Sequence, residues 1–390
     1  MNRILGKWGV LFAMLGVALV GCDKPHDEPP VVLKDDIESI RMNVAETAGT
    51  EESKHLLLVC NIDSEEGIEL AEYYARKRKV PPSNIVQIKC PPLEETSMAR
   101  FKEDILEPIK TAIEASKERI DYIVLTKGIP FRIDSWWGYS VDGQIAGMNL
   151  RVEPMPNDKA PTEDGMIRCK NPYYDAKKPF NSKDYGIYLV TRLDAFSLTD
   201  AKRLVERSVK AQPEKGLFFF DQAENRTNNP EMPESAGWHQ VRMEAAVAKL
   251  LQKNKEVRID KTAPFLNPGK PMMGYVSWGS NDGKFDLKTY RGLKFLSGSI
   301  CETYVSTSAR TFIPSEEGQS LIGDLIANGV TGVKGYVSEP WTSALCRVDI
   351  LMDRYTDGYN LAESFYASSP LVLWKDVVIG DPLCRPYAKK

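Results

Sequence analysis

Two short segments combine an apolar run with residues that can carry chemistry. One covers residues 275–282 and the other residues 297–302. Each has the pattern of a buried strand that ends in polar residues, and ligands of parallel sheets bind outside the carboxyl ends of the strands. A thiolate is a nucleophile, so Cys301 in the second segment is a candidate for covalent catalysis if a base lies beside it.

Candidate bases for Cys301 are few, because the chain has three histidines. His26 lies in a segment rich in proline and acidic residues, His55 precedes the first apolar run, and His239 stands at the start of a helical pattern. Trp278 ends the neighbouring strand but cannot accept a proton, since its indole nitrogen is only a donor. An active cysteine hydrolase would therefore need His239 or an acidic group as the partner of Cys301.

Carboxylates follow several of the predicted strands, namely Asp194, Asp221, Asp282, Glu302 and Glu339. At one sheet edge they can bind a hard cation, act as an acid and base pair, or simply cap strand ends. The sequence has no His-Glu-x-x-His motif, no close cysteine pair and no glycine-rich phosphate loop. We predict no metal and no cofactor, and we keep a metal-dependent hydrolase as an alternative.

The elements that would position these residues alternate between strands and helices. Apolar runs predict strands over residues 55–61, 85–90, 122–125, 185–191, 216–220, 273–278, 298–301 and 329–335. Patterns with helical period predict helices over residues 65–79, 98–117, 201–209, 239–251 and 319–328, the second one strained by Pro108. Strand, helix and strand in this order predict an α/β domain with a mainly parallel sheet and helices on both faces.

Residues 135–184 break that alternation with glycines, prolines and aromatic residues, among them Trp136, Trp137, Tyr173 and Tyr174. We predict a long insertion that lies over the edge of the sheet. Long loops in compact domains are often functional. The aromatic side chains either bind a sugar or a peptide, or they pack the loop onto the body of the domain.

The start of the chain has the pattern of an export signal. A short basic segment is followed by an apolar run that is too short to span a bilayer, and the run ends in Leu19-Val20-Gly21-Cys22. This ending resembles a bacterial lipobox, which implies removal of residues 1–21, acylation of Cys22 and a membrane anchor in the cell envelope. Residues 22–54 are rich in proline and acids, so we predict a disordered tether before a domain over residues 55–387.

The net charge and the cysteine positions restrict the possible binding partners and disulfide bonds of the protein. The net charge is −3 and no basic stripe is present, so we predict no nucleic-acid partner. The six cysteines after Cys22 form no spacing pattern. Cys60 and Cys90 end two predicted strands, and they form either a disulfide or two buried thiols.

Several turns resemble those of gingipain-type cysteine peptidases, which have a caspase-like fold. The matching segments are Leu56–Asn61, Tyr73–Pro82, Tyr122–Phe131, Arg192-Leu193-Asp194 and Gly380-Asp381-Pro382. The resemblance implies a caspase-like arrangement of the domain. It places Cys301 at the nucleophile and Trp278 where the general-base histidine would stand.

A second resemblance is to a family of exported bacterial proteins of unassigned activity. It is carried by Tyr73–Arg78, Arg192-Leu193-Asp194 and Gly380-Asp381-Pro382, together with residues 126–128 and 277–282. Its members occur in genomes that encode exosortase, a membrane enzyme of protein sorting. The resemblance implies a link to envelope protein sorting or exopolysaccharide production by association.

Our leading hypothesis is a lipoprotein with a catalytically degenerate, peptidase-like cleft that binds a peptide or an envelope partner. Its basis is Trp278 at the base position within an otherwise matching framework. The predicted cleft residues are Lys127, Arg192, Asp194, Trp278, Ser280, Asn281, Asp282, Glu302 and Glu339. The alternative is an active hydrolase with Cys301 as nucleophile.

Overall fold

The computed structural model describes residues 50–134, 138–150, 168–213 and 215–388. The predicted signal peptide, the acylation site Cys22, most of the tether, and Trp136 and Trp137 lie outside the described residues. Within the described ranges, no helix has both the length and the apolar composition of a membrane span.

The chain alternates between strands and helices as predicted. The strands are β1 Leu56–Asn61, β2 Ile85–Ile88, β3 Glu95–Thr96, β4 Tyr122–Thr126, β5 Arg132–Ile133, β6 Tyr139–Ser140, β7 Leu189–Leu193, β8 Leu217–Asp221, β9 Val257–Asp260, β10 Met272–Ser277, β11 Phe295–Thr303, β12 Gly332–Tyr336 and β13 Asp376–Ile379. The helices are α1 Glu51–Lys54, α2 Glu65–Arg78, α3 Met98–Arg100, α4 Glu107–Ala115, α5 Val141–Ala146, α6 Ser182–Tyr185, α7 Leu198–Val209, α8 Ala236–Gln252, α9 Leu287–Arg291, α10 Ile322–Ala327, α11 Val348–Thr356 and α12 Leu361–Ser368.

Ten strands form one sheet in the order β2-β1-β4-β7-β13-β12-β11-β10-β8-β9. Neighbours are parallel from β2 to β7 and from β12 to β9. Between these blocks lies β13, which is antiparallel to β12 and meets β7 at the pair Ile379 and Arg192. The prediction of an α/β fold with a mainly parallel sheet is confirmed. A small sheet of β3, β5 and β6 follows the carboxyl end of β4.

Two hydrophobic cores lie on opposite faces of the large sheet, because successive strand side chains point to opposite faces. On the face that we call A, residues such as Phe218, Val276 and Ile300 pack against α4, α5, α8, α11 and α12. On face B, neighbours such as Tyr275 and Cys301 pack against α2, α7, α9 and α10. Helices therefore cover both faces, as predicted.

Local sequence explains where several helices begin and break. The Ser64 side chain accepts from the Gly67 N–H at 3.0 Å and caps α2. A π-helical turn, Phe101–Leu106, separates α3 from α4. Pro108, next to this turn, cannot donate the backbone hydrogen bond that a continuous helix needs, so the strain that we predicted at Pro108 coincides with an interruption.

Two sequence predictions need correction, and several elements were missed. The strand predicted from residue 185 begins at Leu189, because Ser182–Tyr185 forms a short helix capped by Asn181. The last residues of the predicted tether, Glu51–Lys54, form the helical turn α1, which leads directly into β1. Strands β9 and β13 and helices α11 and α12 were not predicted.

The described part of the 135–184 insertion packs onto the body of the domain. Tyr173 is fully buried, and its ring lies 5.1 Å from Phe180 and 4.8 Å from Tyr185. Its hydroxyl accepts from Arg354 at 2.9 Å, while that of Tyr174 accepts from Arg347 at 3.2 Å. Of the two roles considered for these two aromatic side chains, the contacts favour packing.

The six described cysteines are buried free thiols. Cys60 belongs to the core on face B and Cys90 to the core on face A. Because the sheet lies between these cores, the two side chains do not meet in a disulfide.

Candidate functional site

The proposed catalytic pair is separated by the sheet itself. Cys301 lies within β11 and points into the core on face B. His239 lies on α8, which packs on face A, and its ring is 5.1 Å from that of Tyr304 in the face A core. A general base must reach its partner at about 3 Å, so His239 cannot deprotonate Cys301. The direct dyad is excluded.

Each member of that pair is also held in an unreactive state. Cys301 is 0% exposed, and burial, reinforced by the charge of Glu302, raises the pKa of its thiol well above its usual value. His239 donates from Nε2 to the Thr342 carbonyl at 2.9 Å, since a carbonyl oxygen can only accept. Burial lowers the pKa of His239 to about 4. A protonated thiol is a poor nucleophile. This finding corrects the prediction that Cys301 is a catalytic nucleophile.

Trp278 fills the space where the motif comparison places a histidine. Its indole N–H donates to Gln240 Oε1 at 3.1 Å, its ring meets Tyr304 edge-on at 4.9 Å, and Arg226 lies 5.4 Å from the ring centre. The side chain is buried on face A. Trp278 is therefore a packing residue, and it does not line an open cleft.

Ser280, Asn281 and Asp282, which we predicted in the cleft, tie loops together. Asn281 donates to the Tyr304 carbonyl at 2.7 Å and accepts from Gln319 at 3.0 Å. The Ser280 hydroxyl accepts from the Ser320 N–H at 2.9 Å, and Asp282 accepts from the Lys284 N–H at 2.7 Å. These bonds close the sheet edge at the ends of β10 and β11.

Glu302 lies beneath the sheet on face A and is fully buried. Tyr336 donates to its Oε1 at 3.0 Å, and Lys334 nearby pairs with Asp376 at 2.7 Å. Burial raises the pKa of Glu302 to about 8, against the opposing effects of Lys334 and Tyr336. The raised pKa favours the protonated form of Glu302, and its burial makes the side chain inaccessible to a ligand. Glu339, in contrast, is partly exposed and accepts from the Trp341 N–H at 3.0 Å.

Arg192 is fully buried and does not line a cleft either. It pairs with Asp142 of the insertion at 2.6 Å and donates to the carbonyls of Ile129 and Pro130. It therefore fixes the turn after β4 and α5 against β7. This role for Arg192 corrects the prediction that it binds a ligand.

A cleft of about 210 Å³ opens instead at the carboxyl ends of β1, β4 and β7. It is lined by Ser64, Glu66, Pro92, Leu93, Glu94, Lys127, Gly128, Ile129, Phe131, Asp194, Phe312 and Ile313. The residues from 312 on belong to the loop after β11. Arg132 of β5 anchors that loop by donating to the Arg310 carbonyl, and it also donates to the Val337 carbonyl just after β12. Of the predicted cleft residues, the structure brings Lys127 and Asp194 together here.

Lys127 is the central charged residue of the cleft. Its Nζ lies 3.2 Å from Asp194 Oδ1, 2.9 Å from the Ala195 carbonyl and 3.9 Å from Glu66 Oε2. The side chain is 15% exposed and so faces the cleft with limited contact to water. Two carboxylates thus surround one ammonium group, which holds the lysine in place and leaves the wall acidic.

Sequence reasoning missed the apolar rim of this cleft. Leu93 is 63% exposed and Ile313 is 64% exposed, and both line the opening. Glu94 holds the two sides together by accepting from the Thr311 hydroxyl and the Phe312 N–H at 2.7 and 2.8 Å. The available signal was weak: single large apolar residues stand in two loops otherwise rich in proline, glutamate and serine.

No group of three or more His, Cys, Asp or Glu residues in the described ranges is arranged to hold a metal. The strand-end carboxylates are spread along the edge, and Asp194 is engaged with Lys127. This arrangement offers no support for the metal-dependent hydrolase that we kept as an alternative.

Comparison with known proteins gives distant structural likenesses. A solved structure of a protease superposes with a TM-score of 0.49 and 9% sequence identity, over 85% of this chain and 78% of its own. No protein family model matches the sequence, and no curated protein is similar to it. The resemblances to gingipain-type peptidases and to the exosortase-associated family stay predictions.

Proposed function

We propose that this protein is an exported, lipid-anchored binding protein, and that the cleft beside Lys127 captures a peptide segment of an envelope partner. The observation that carries the proposal is an open cleft at the carboxyl edge with an apolar rim and a charged wall. The lipobox-like segment that ends at Cys22 supports the location. Cys301 and His239 lie on opposite faces of the sheet, and this separation supports a role that does not use nucleophilic catalysis.

The rim favours a ligand with an apolar side chain. Isolated exposed apolar residues are common on proteins, but Leu93 and Ile313 line the same opening and come from distant parts of the chain. Phe312, buried beside them, packs edge-on against Phe131 with ring centres 5.4 Å apart. An apolar side chain that enters the cleft would therefore bury apolar surface against Leu93, Ile313 and Phe312.

The wall favours a positive charge next to that apolar group. Three carboxylates, Glu66, Glu94 and Asp194, share the lining with one ammonium group, that of Lys127. Glu66 is half-exposed and stands 3.9 Å from Lys127, so it has room for a second cation. Complementary charge across an interface contributes to partner selection. The preferred ligand is therefore a peptide with adjacent apolar and basic residues.

Fluorescence polarisation with labelled peptides tests this function. Peptides that carry a Leu-Lys pair should bind the full chain, and both Leu93→Asp and Ile313→Asp should weaken binding at least about tenfold. Leu251→Asp is the matched control, because Leu251 is also exposed but lies on α8, away from the cleft. Equal affinities in all three variants, or no peptide bound at all, would contradict the proposal.

A further inference from the structure

The apolar rim of the cleft leads directly into an edge strand. Leu93 and Glu94 line the cleft, and the next two residues, Glu95 and Thr96, form β3. The strand order of the small sheet is β3-β5-β6, so β5 pairs with one side of β3 and no strand of the described ranges pairs with the other side. An unpaired strand edge is a template for pairing with another chain.

The backbone bonds of β3 show which of its groups are free. The carbonyls of Glu94 and Thr96 turn toward β5, where they accept from the Arg132 N–H at 3.2 Å and the Asp134 N–H at 2.9 Å. The residue between them points its N–H and C=O to the opposite side, because these groups alternate along a strand. That residue is Glu95, which is exposed and whose N–H and C=O have no hydrogen-bond partner among the described residues.

Side-chain bonds hold this edge in place. Glu95 pairs with Arg132, whose side chain is only 8% exposed. Just after β3, the Met98 N–H donates to the Asp134 carboxylate at 2.9 Å. A peptide would therefore bind to an edge that is already ordered, and binding to a preorganised site costs less free energy.

We propose that the peptide in the cleft lies in an extended conformation and adds a fourth strand to the small sheet, with hydrogen bonds to the N–H and C=O of Glu95. This inference rests on the proposed function, because it assigns the conformation and the backbone contacts of the same ligand. In such strand addition, main-chain hydrogen bonds give affinity and side-chain pockets give specificity. The ligand is then an unfolded segment, since a helix uses its backbone N–H groups internally.

Methylation of single backbone nitrogens along the Leu-Lys peptide tests the binding mode. An N-methyl group removes one donor and crowds one side of a strand, so it weakens binding where that N–H faces Glu95. We expect a loss of at least about tenfold there. At the positions next to it, whose N–H groups point away from β3, the affinity should stay within about twofold. The polarisation assay with the full chain measures each peptide.

A pair of variants tests the same bonds from the side of the protein. Glu95→Pro removes the outward N–H, a change that a strand edge tolerates. Glu95→Ala is the matched control, because it also loses the pairing with Arg132 but keeps the N–H. We expect Glu95→Pro to bind the unmodified peptide at least about threefold more weakly than Glu95→Ala does.

The outcomes distinguish this inference from the proposed function. If the unmodified peptide binds but methylation weakens it at no position, or equally at all positions, the extended mode is wrong and the proposed function stands. Equal affinities of the two Glu95 variants would likewise overturn the bonds to Glu95. If no peptide binds, both proposals are wrong. If Glu95→Pro does not fold, the methylated peptides decide the question with the wild-type chain.

Discussion

The carboxyl ends of the strands form one edge of the large sheet, and its two halves differ in accessibility. At β1, β4 and β7, the charged group of Lys127 faces an open cleft with an apolar rim. At β10 and β11, Trp278 and Asn281 fill the corresponding space. Trp278 bonds to Gln240 of α8, and Asn281 bonds to the Tyr304 carbonyl just after β11. The half that resembles a catalytic centre is closed, and the half without a catalytic motif is open. A motif therefore locates a strand end, but only its neighbours decide whether that end is accessible.

The closed half should depend on Trp278 for stability. Trp278→Ala removes a large buried side chain and leaves Gln240 without its indole donor, so we expect unfolding free energy to fall by about 3–5 kcal/mol. Urea unfolding measures this loss. The control is Trp341→Ala, because Trp341 is 41% exposed. Losses of equal size in the two variants would mean that the edge at β10 is not the tightly packed half.

The pH dependence of stability should separate the two halves further, through Glu302. Its folded pKa of about 8 lies above its usual value. The folded state therefore holds a proton that the unfolded state releases. The stabilisation is complete below about pH 4.5 and is lost as pH rises to and through 8, by up to about 1.4 kcal/mol per pH unit.

Glu302→Gln should remove that contribution. Urea unfolding of the wild type and the variant between pH 6 and 9 gives the free energy of unfolding of each protein. The contributions of the other titrating groups cancel in the difference between these two free energies. We expect the wild type to lose more stability than the variant over this range. Parallel curves would show that Glu302 is ionised throughout, and that the pair of Lys334 and Asp376 compensates it.

The open half should show the smallest stability effect. Leu93→Ser changes an exposed rim residue, so the free energy of unfolding should move by less than about 0.5 kcal/mol. Peptide binding should nevertheless weaken, which the polarisation assay detects. A large loss of stability would indicate that Leu93 packs as part of the core, and the contrast between the two halves would disappear.

The sequence was sufficient for the alternation of elements, because buried parallel strands such as β1 and β8 are continuous apolar runs. It failed for β13, whose short segment lies next to Trp374 and Lys375 and pairs with a strand forty residues away in the chain. The sequence did not predict β13 because so short a segment becomes a strand only by pairing with β12, and local sequence does not show this pairing.

Site prediction failed for a related reason. Motif spacing placed Cys301 at a strand end, but β11 continues to Thr303, so Cys301 points into face B. Which face α8 covers depends on long-range packing that no local pattern contains, and this packing separates His239 from the thiol. Lys127 and Asp194 were found because each directly follows its strand. Leu93 and Ile313 were missed because only the folded loops bring them together.

The helical turn α1 has a consequence for how the protein is displayed. It joins β1 at the amino edge of the sheet, where Ser53 donates to the Lys79 carbonyl at the end of α2. The cleft lies at the other edge, about 20 Å away along the six residues of β1. Under the proposed anchoring at Cys22, the tether enters the domain on the side opposite the cleft. The attachment then leaves the mouth of the cleft free of the chain segment that leads to the lipid.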